Sequence, residues 1–171
     1  IEFKNQIEFK KVSFFFKQEN YNNIIFDDLN LTIVKNQCLG IIGPSGSGKS
    51  TFLEIICGLL ETSKGSIYYD GKILNQNEAR LNASYVSQDT RILNATLKQN
   101  IILNFKNVDQ EFNETKYKNA IDKSNLSSFV NQLNKKDETL LGEFGSTISG
   151  GQRQRIGIAR AIYHDSEILI L

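Results

Sequence analysis

The stretch Gly43-Pro44-Ser45-Gly46-Ser47-Gly48-Lys49-Ser50-Thr51 constrains this chain more than any other. It satisfies G-x-x-x-x-G-K-[ST] at every fixed position, the pattern of a phosphate-binding loop. Four fixed positions coincide by chance in a chain this long about one per cent of the time or less. The flanks suit the motif. Residues 37–42 form a short apolar run that reads as a buried strand, and residues 50–60 read as the helix that follows. Glycines let the backbone curl so that successive N–H groups point inward at phosphate oxygens. The helix start adds free N–H donors and the positive end of a dipole. Lys49 is placed to reach the β- and γ-phosphates of a nucleotide, and the Ser50 hydroxyl to join the ligands of Mg²⁺. The sequence therefore predicts nucleotide binding.

The chain has 171 residues, enough for one domain with a proper core. Lys+Arg (20) and Asp+Glu (19) nearly cancel, leaving +1, so nothing suggests a nucleic-acid surface. The two cysteines, Cys38 and Cys57, stand in apolar sequence. They read as buried thiols, with neither a disulfide nor a metal site implied. No apolar stretch approaches the ~20 residues that span a bilayer, and no signal peptide opens the chain.

Ile1-Glu2-Phe3-Lys4 recurs as Ile7-Glu8-Phe9-Lys10, an alternation that predicts strand. The first copy reads as a lead-in. Residues 7–16 read as one strand, 17–23 as a polar turn, and 24–34 as a second strand returning beside the first. Residues 66–69 and 72–74 flank Asp70-Gly71, a hairpin signal. Residues 83–87 read as another short strand. From residue 95 to 133 the pattern turns helical, broken by a polar stretch at 105–112. Tyr117, Ala120, Ile121, Phe129, Val130 and Leu133 are placed inward. A further helix runs from Ser149 to about Tyr163, with Ile156, Ala159, Ile162 and Tyr163 as its apolar stripe. Residues 168–171 read as a buried strand.

A phosphate loop alone is shared by kinases, G proteins, helicases and transporters, so it does not settle function. Ile148-Ser149-Gly150-Gly151-Gln152-Arg153-Gln154-Arg155 narrows it. Ser149 is a natural N-cap, and two glycines leave bare backbone N–H groups at a helix start. This makes a second anion site, without a lysine. One nucleotide does not need two such sites on one protomer. The economical reading is that the second meets the γ-phosphate of a nucleotide held by another protomer. A plain glycine-containing helix cap is the alternative.

Ser149 to Arg155, followed by Ala159-Arg160-Ala161, resembles the signature motif of the ATP-binding cassette (ABC) ATPases, and with the upstream phosphate loop the pairing is specific. The resemblance spans residues 7–171. It implies that two such domains close head to tail over two ATP molecules, with Ser149, Gly150, Gly151 and Gln152 acting in trans. Phe16 falls where the family places an adenine-stacking aromatic, usually Tyr, and Phe14 and Phe15 compete for the role. Gln88 matches the glutamine of the Q-loop, which ligates Mg²⁺ or orients water and senses the membrane domain. Residues 92–101 resemble the exporter-type segment after the Q-loop. Residues 139–145 resemble the loop before the signature motif in exporters and flippases, where Glu143 is implied to touch the membrane domain.

The resemblance also implies an Asp and a Glu directly after the strand at 168–171, and a later switch histidine. The 171 residues contain none of them. His164, the one histidine, precedes the strand and reads as a surface residue near a helix C-terminus, where a cation is mildly favoured. The chain as given is therefore expected to bind ATP weakly without turning it over, and to be the expressed or ordered part of something longer. Its last strand is expected to have an exposed edge and uncovered apolar faces.

The fold expected is α/β. It has a P-loop NTPase core sheet, an N-terminal antiparallel β subdomain and a helical subdomain carrying the signature motif. Residues 1–6 are the lead-in, 7–88 the β subdomain with the phosphate-loop core, 89–148 the helical subdomain, and 149–171 the signature helix and next strand. The function implied is the ATP-hydrolysing domain of an exporter or flippase, with ATP and Mg²⁺ as cofactors. The partners implied are a second copy or paralogue and a membrane domain, fused N-terminally and contacted near Gln88 and Glu143. The place implied is the cytoplasmic face of a membrane, with the isolated fragment soluble. Two rivals are a soluble ABC ATPase and a non-ABC phosphate-loop kinase. Near-zero net charge and the Glu143 loop oppose the first; the Ser149 helix start opposes the second.

Overall fold

In the computed structural model, the described residues are 4–17, 22–73, 83–87, 89–103, 112–142 and 148–171. The chain divides into two compact units, Ile1–Ala83 and Ser84–Leu171.

The first unit begins with the alternating stretch, which forms β1 (Gln6–Lys17) and pairs antiparallel with β2 (Asn22–Val34). Ile7 and Phe9 face the core, Lys10 faces out, and Glu8 is half-buried. At Lys11 the backbone bulges, with φ 52°, and the ladder shifts register before Val12. The bulge breaks the strict alternation, so Val12, Ser13 and Phe14 are all buried. The buried Ser13 hydroxyl donates to the Asp27 carboxylate and accepts from Asp28 N–H at 3.1 Å, which meets its hydrogen-bonding needs. On its other edge β1 pairs with β3 (Lys64–Tyr69), which turns back as β4 (Lys72–Ile73). The sheet order is β2-β1-β3-β4. Asp70 (φ 47°) and Gly71 (φ 81°) make the turn, two positive φ angles in succession as a two-residue hairpin requires. The Asp70 carboxylate also accepts the backbone N–H groups of Lys4, Asn5 and Gln6, tying the turn to the start of β1.

Helix α1 (Lys49–Ile56) lies on this sheet. Its Phe52 ring centroid is 5.2 Å from that of Phe9 and 6.4 Å from that of Phe26. Phe52, Ile55 and Ile56 are buried, each worth about 1.5–3 kcal/mol of apolar transfer. The helix stops short of the expected residue 60 because Gly58 turns left-handed, φ 66°, and Leu59 N–H reaches back to Glu54 O at 2.8 Å.

Two expectations fail here. Residues 37–42 join neither sheet, and Ile42 is 95% exposed. A strand is a relation between neighbours: without a ladder to enter, an apolar run has no reason to be extended or buried. Cys38, carried on that run, is exposed for the same cause, whereas Cys57 at the end of α1 is buried. Burial and the nearby Glu54 push the Cys57 thiol up to about 11. Residue 74 of the expected hairpin and residues 18–21 of the expected turn at 17–23 lie outside the described residues.

The second unit is mostly helical: α2 (Leu97–Ile102), α3 (Glu114–Lys123), α4 (Ser127–Gln132), a 3₁₀ turn at Lys136–Glu138, and α5 (Gly150–Tyr163). Its core gathers Leu97, Ile101, Tyr117, Ala120, Leu126, Leu141, Ile156 and Ala159, with Phe129, Val130, Leu133 and Ile162 half-buried at the margin. The inward set read from the sequence is thus the set that packs. The helices are capped locally. Thr96 and Gln99 form a reciprocal capping box on α2, and Asn113 Oδ1 accepts Lys116 N–H at 2.9 Å on α3. A two-stranded sheet joins β5 (Ala83–Tyr85) and β6 (Ile168–Ile170). Of the buried strand expected at 168–171, only Ile168–Ile170 enter the ladder and only Ile170 is buried, while Leu169 and Leu171 are 45% and 71% exposed. His164 caps α5 at its C-terminus as expected. Partial burial and nearby Lys116 nevertheless hold its pKa below the usual imidazole value, against the helix dipole and a hydrogen bond to the Ile102 backbone.

Candidate functional site

The phosphate loop leads into α1 through two left-handed glycines, Gly46 (φ 79°) and Gly48 (φ 89°). Gly48 is doubly constrained. Besides its φ, a Cβ there would stand 2.3 Å from Ile25 Cγ2 on β2. Ile25, which the sequence alone did not single out, is thus the strand residue against which the loop closes. Ser47 N–H donates to Pro44 O at 3.3 Å across the curl.

Lys49 sits at the centre. Its Nζ donates to Gly43 O at 2.8 Å and to Pro44 O at 2.7 Å. An ammonium has three protons, so two hold the loop around the cation and the third has no acceptor among the described residues. No side chain caps the start of α1, and its first turn carries no acidic residue. The loop therefore presents uncapped helix N–H groups and a positive charge to one volume, the arrangement an anion needs. Ser50 is exposed beside Lys49, and Thr51 is half-buried. Ser50 offers an oxygen of the hard type that Mg²⁺ takes, together with substrate phosphates.

Of the three consecutive phenylalanines, Phe14 is buried, Phe15 half-buried and Phe16 43% exposed. The Phe16 ring stands edge-on to Phe14, centroids 5.0 Å apart and planes at 89°. It is the ring of the three with the most surface open to a stacking partner.

In the second unit Ser149 caps α5 with extended backbone, φ −71° and ψ 162°. Its Oγ accepts Gln152 N–H at 3.3 Å, and Gln152 Oε1 accepts Ser149 N–H at 2.7 Å. The S-x-x-Q spacing of this reciprocal box is a signal in the sequence, and it gives Gln152 a capping role beside the ligand role that the resemblance implies. Gly150 and Gly151 are exposed, and no atom lies within 4 Å of where a Gly151 Cβ would sit. The helix start is bare on its outer side. Gln88 and Glu143 lie outside the described residues.

The profile of the ABC transporter family matches residues 26–171. The chain belongs to the ABC transporter family. This ABC domain is 34% identical over 171 residues to a sophorolipid transporter of Starmerella bombicola, covering 98% of the chain and 13% of that protein. It is 36% identical over 172 residues to an ATP-dependent lipid A-core flippase of Desulfotalea psychrophila, covering 99% of the chain and 29% of that protein. A solved bacterial Atm1-family ABC exporter with ATP bound superimposes with TM-score 0.83 at 25% identity, over 99% of this chain and 29% of that one. The ABC domain thus spans under a third of the length of these relatives, and its α/β fold is that of ABC ATPases. Among the described residues, no helix is long and apolar enough to cross a membrane.

Proposed function

We propose that this ABC domain is the nucleotide-binding domain of an exporter or flippase, binding and hydrolysing MgATP to drive transport. The observation that carries this reading is Lys49, wrapped by its own loop with one proton left for phosphate, at an uncapped helix start. Gly43, Pro44, Ser45, Gly46, Ser47, Gly48 and Thr51 supply the cradle. Ser50, with Gln88, would hold Mg²⁺, which neutralises charge developing on the transferred phosphoryl group. Phe16 would stack on adenine, worth about 1 kcal/mol.

The bare nest at Ser149, Gly150 and Gly151, with Gln152, would grip the γ-phosphate of ATP bound to a partner domain. Two domains would then close head to tail over two nucleotides. Gln88 and Glu143 would face a membrane domain, placing the nucleotide site on the cytoplasmic side. The similarity to a transporter, a flippase and an exporter favours this over a soluble ABC ATPase.

The test is equilibrium binding of a fluorescent ATP analogue with Mg²⁺. Binding should be abolished by Lys49→Ala and weakened about fivefold by Phe16→Ala, the 1 kcal/mol of a lost ring contact. In the full-length protein with Cys38 and Cys57 replaced, cysteines at Ser45 and Ser149 should cross-link between protomers only when ATP is bound. Cross-linking without regard to ATP, or analogue binding indifferent to Lys49, refutes the reading.

A further inference from the structure

Helix α5 carries the Ser149 nest at its start and meets Val86, Thr90 and Arg91 nearer its end. Two contacts one turn apart on the same face make that junction. At Gly157 there is no space: a Cβ would stand 2.7 Å from Thr90 Oγ1 and 2.9 Å from Val86 Cγ1. At Arg160 the guanidinium forks. Nη1 donates to Arg91 O at 2.7 Å, Nε to Asn100 O at 2.6 Å, and Nη2 to Asn100 Oδ1 at 3.0 Å. Asn100, fully buried, extends the grip. Its Oδ1 accepts Leu93 N–H at 2.8 Å, and its Nδ2 donates to Leu93 O at 3.0 Å, Ala95 O at 3.3 Å and Thr96 O at 3.0 Å.

Residues 91–95 form neither helix nor strand. The Arg91, Leu93 and Ala95 carbonyls are answered by these two side chains. Burial disfavours the charged guanidinium, and the acceptors it finds are neutral oxygens. A group held this way contributes direction more than net stability. Of the other buried residues of α5, Ile156, Ala159 and Ala161 pack by apolar contact, which is non-directional and does not fix slide or roll, and Tyr163 adds a single long hydrogen bond, its hydroxyl accepting Asn113 N–H at 3.3 Å.

We propose that Gly157, Arg160 and Asn100 form a positioning device: they lock α5 to Val86 and residues 90–96, so that these residues set where the Ser149 nest sits. This rests on the reading of that nest as a γ-phosphate site in trans. From Arg160 to Ser149 is about eleven residues, roughly 16 Å of helix. A tilt of ~4° about Arg160 therefore moves the nest by ~1 Å, a displacement that costs on the order of a hundredfold in rate. The phosphate loop belongs to the other unit and is not part of the device.

The decisive variant is Arg160→Lys in the full-length protein, which keeps the charge and loses the fork. Analogue affinity should stay within about twofold of wild type while MgATP turnover falls about ten- to a hundredfold. Gly157→Ala, which drives a methyl into Thr90 and Val86, should show the same split and serves if Arg160→Lys does not fold. The double variant should lose little more than either single one, because both act through one junction. Turnover within twofold of wild type in the folded variants, or losses that multiply in the double variant, overturns the proposal. A wild-type protein that neither binds nor hydrolyses ATP overturns the functional reading instead.

Discussion

Gly48→Ala is the sharpest test of the phosphate loop, because two separable penalties meet there. The residue holds φ 89°, where an L side chain costs about 1–2 kcal/mol. Its new methyl would also stand 2.3 Å from Ile25 Cγ2, well inside contact distance. Overpacking of that kind costs about 1–3 kcal/mol. Together the loop loses about 2–5 kcal/mol of its nucleotide-ready conformation. At about 1.4 kcal/mol per tenfold, that weakens binding by roughly 30-fold to several thousandfold. Ile25→Ala removes the second penalty and leaves the first. In a double-mutant cycle Ile25→Ala should therefore recover the overpacking share of about 1–3 kcal/mol and no more. The assay is titration of a fluorescent ATP analogue with Mg²⁺ against the four proteins, with thermal unfolding as a check on the fold. Unchanged affinity in Gly48→Ala would refute the loop geometry. A coupling energy near zero would refute the contact with Ile25 while leaving the backbone argument standing.

Three further outcomes follow from the geometry. The Asp70 carboxylate is held below the usual 3.8, first by the hydrogen bond from Lys4 N–H, then by that from Gln6. A depressed folded pKa stabilises above the unfolded value and is lost as pH falls through the folded one, so Asp70→Asn should lower Tm at pH 6 by more than at pH 2–3. Gly151→Ala meets no atom within 4 Å and replaces glycine inside a helix. It should leave stability unchanged or raise it by up to about 1 kcal/mol, while ATP turnover of the full-length protein collapses. A thiol-specific disulfide reagent at pH 8 should label exposed Cys38 quickly. Cys57, buried and with its thiol near 11, should react only on unfolding.

What could be read without coordinates was local. The Asp70-Gly71 turn, the Ser149 cap and the inward face of α3 are set by residues within one turn or one hairpin of each other. Here propensity and periodicity speak directly. The same holds for the phosphate loop, whose curl is written in Gly46 and Gly48. The failures share a cause too. Residues 37–42 looked like a core strand on composition, yet a strand exists only through its neighbours, and Cys38 went wrong with it. The pKa of His164 depends on how deeply α5's end is packed, which no periodicity states.

The amino-acid order alone determined the chemistry: a lysine in a glycine curl, a serine-glycine-glycine helix start, and hence the family. Which ring of Phe14, Phe15 and Phe16 stays open, which residue backs Gly48, and how Arg160 and Asn100 brace one another across 60 positions of sequence were decided by tertiary structure. Those contacts join residues far apart in the chain. Their free energy comes from packing and directed hydrogen bonds that exist only once the chain has closed on itself.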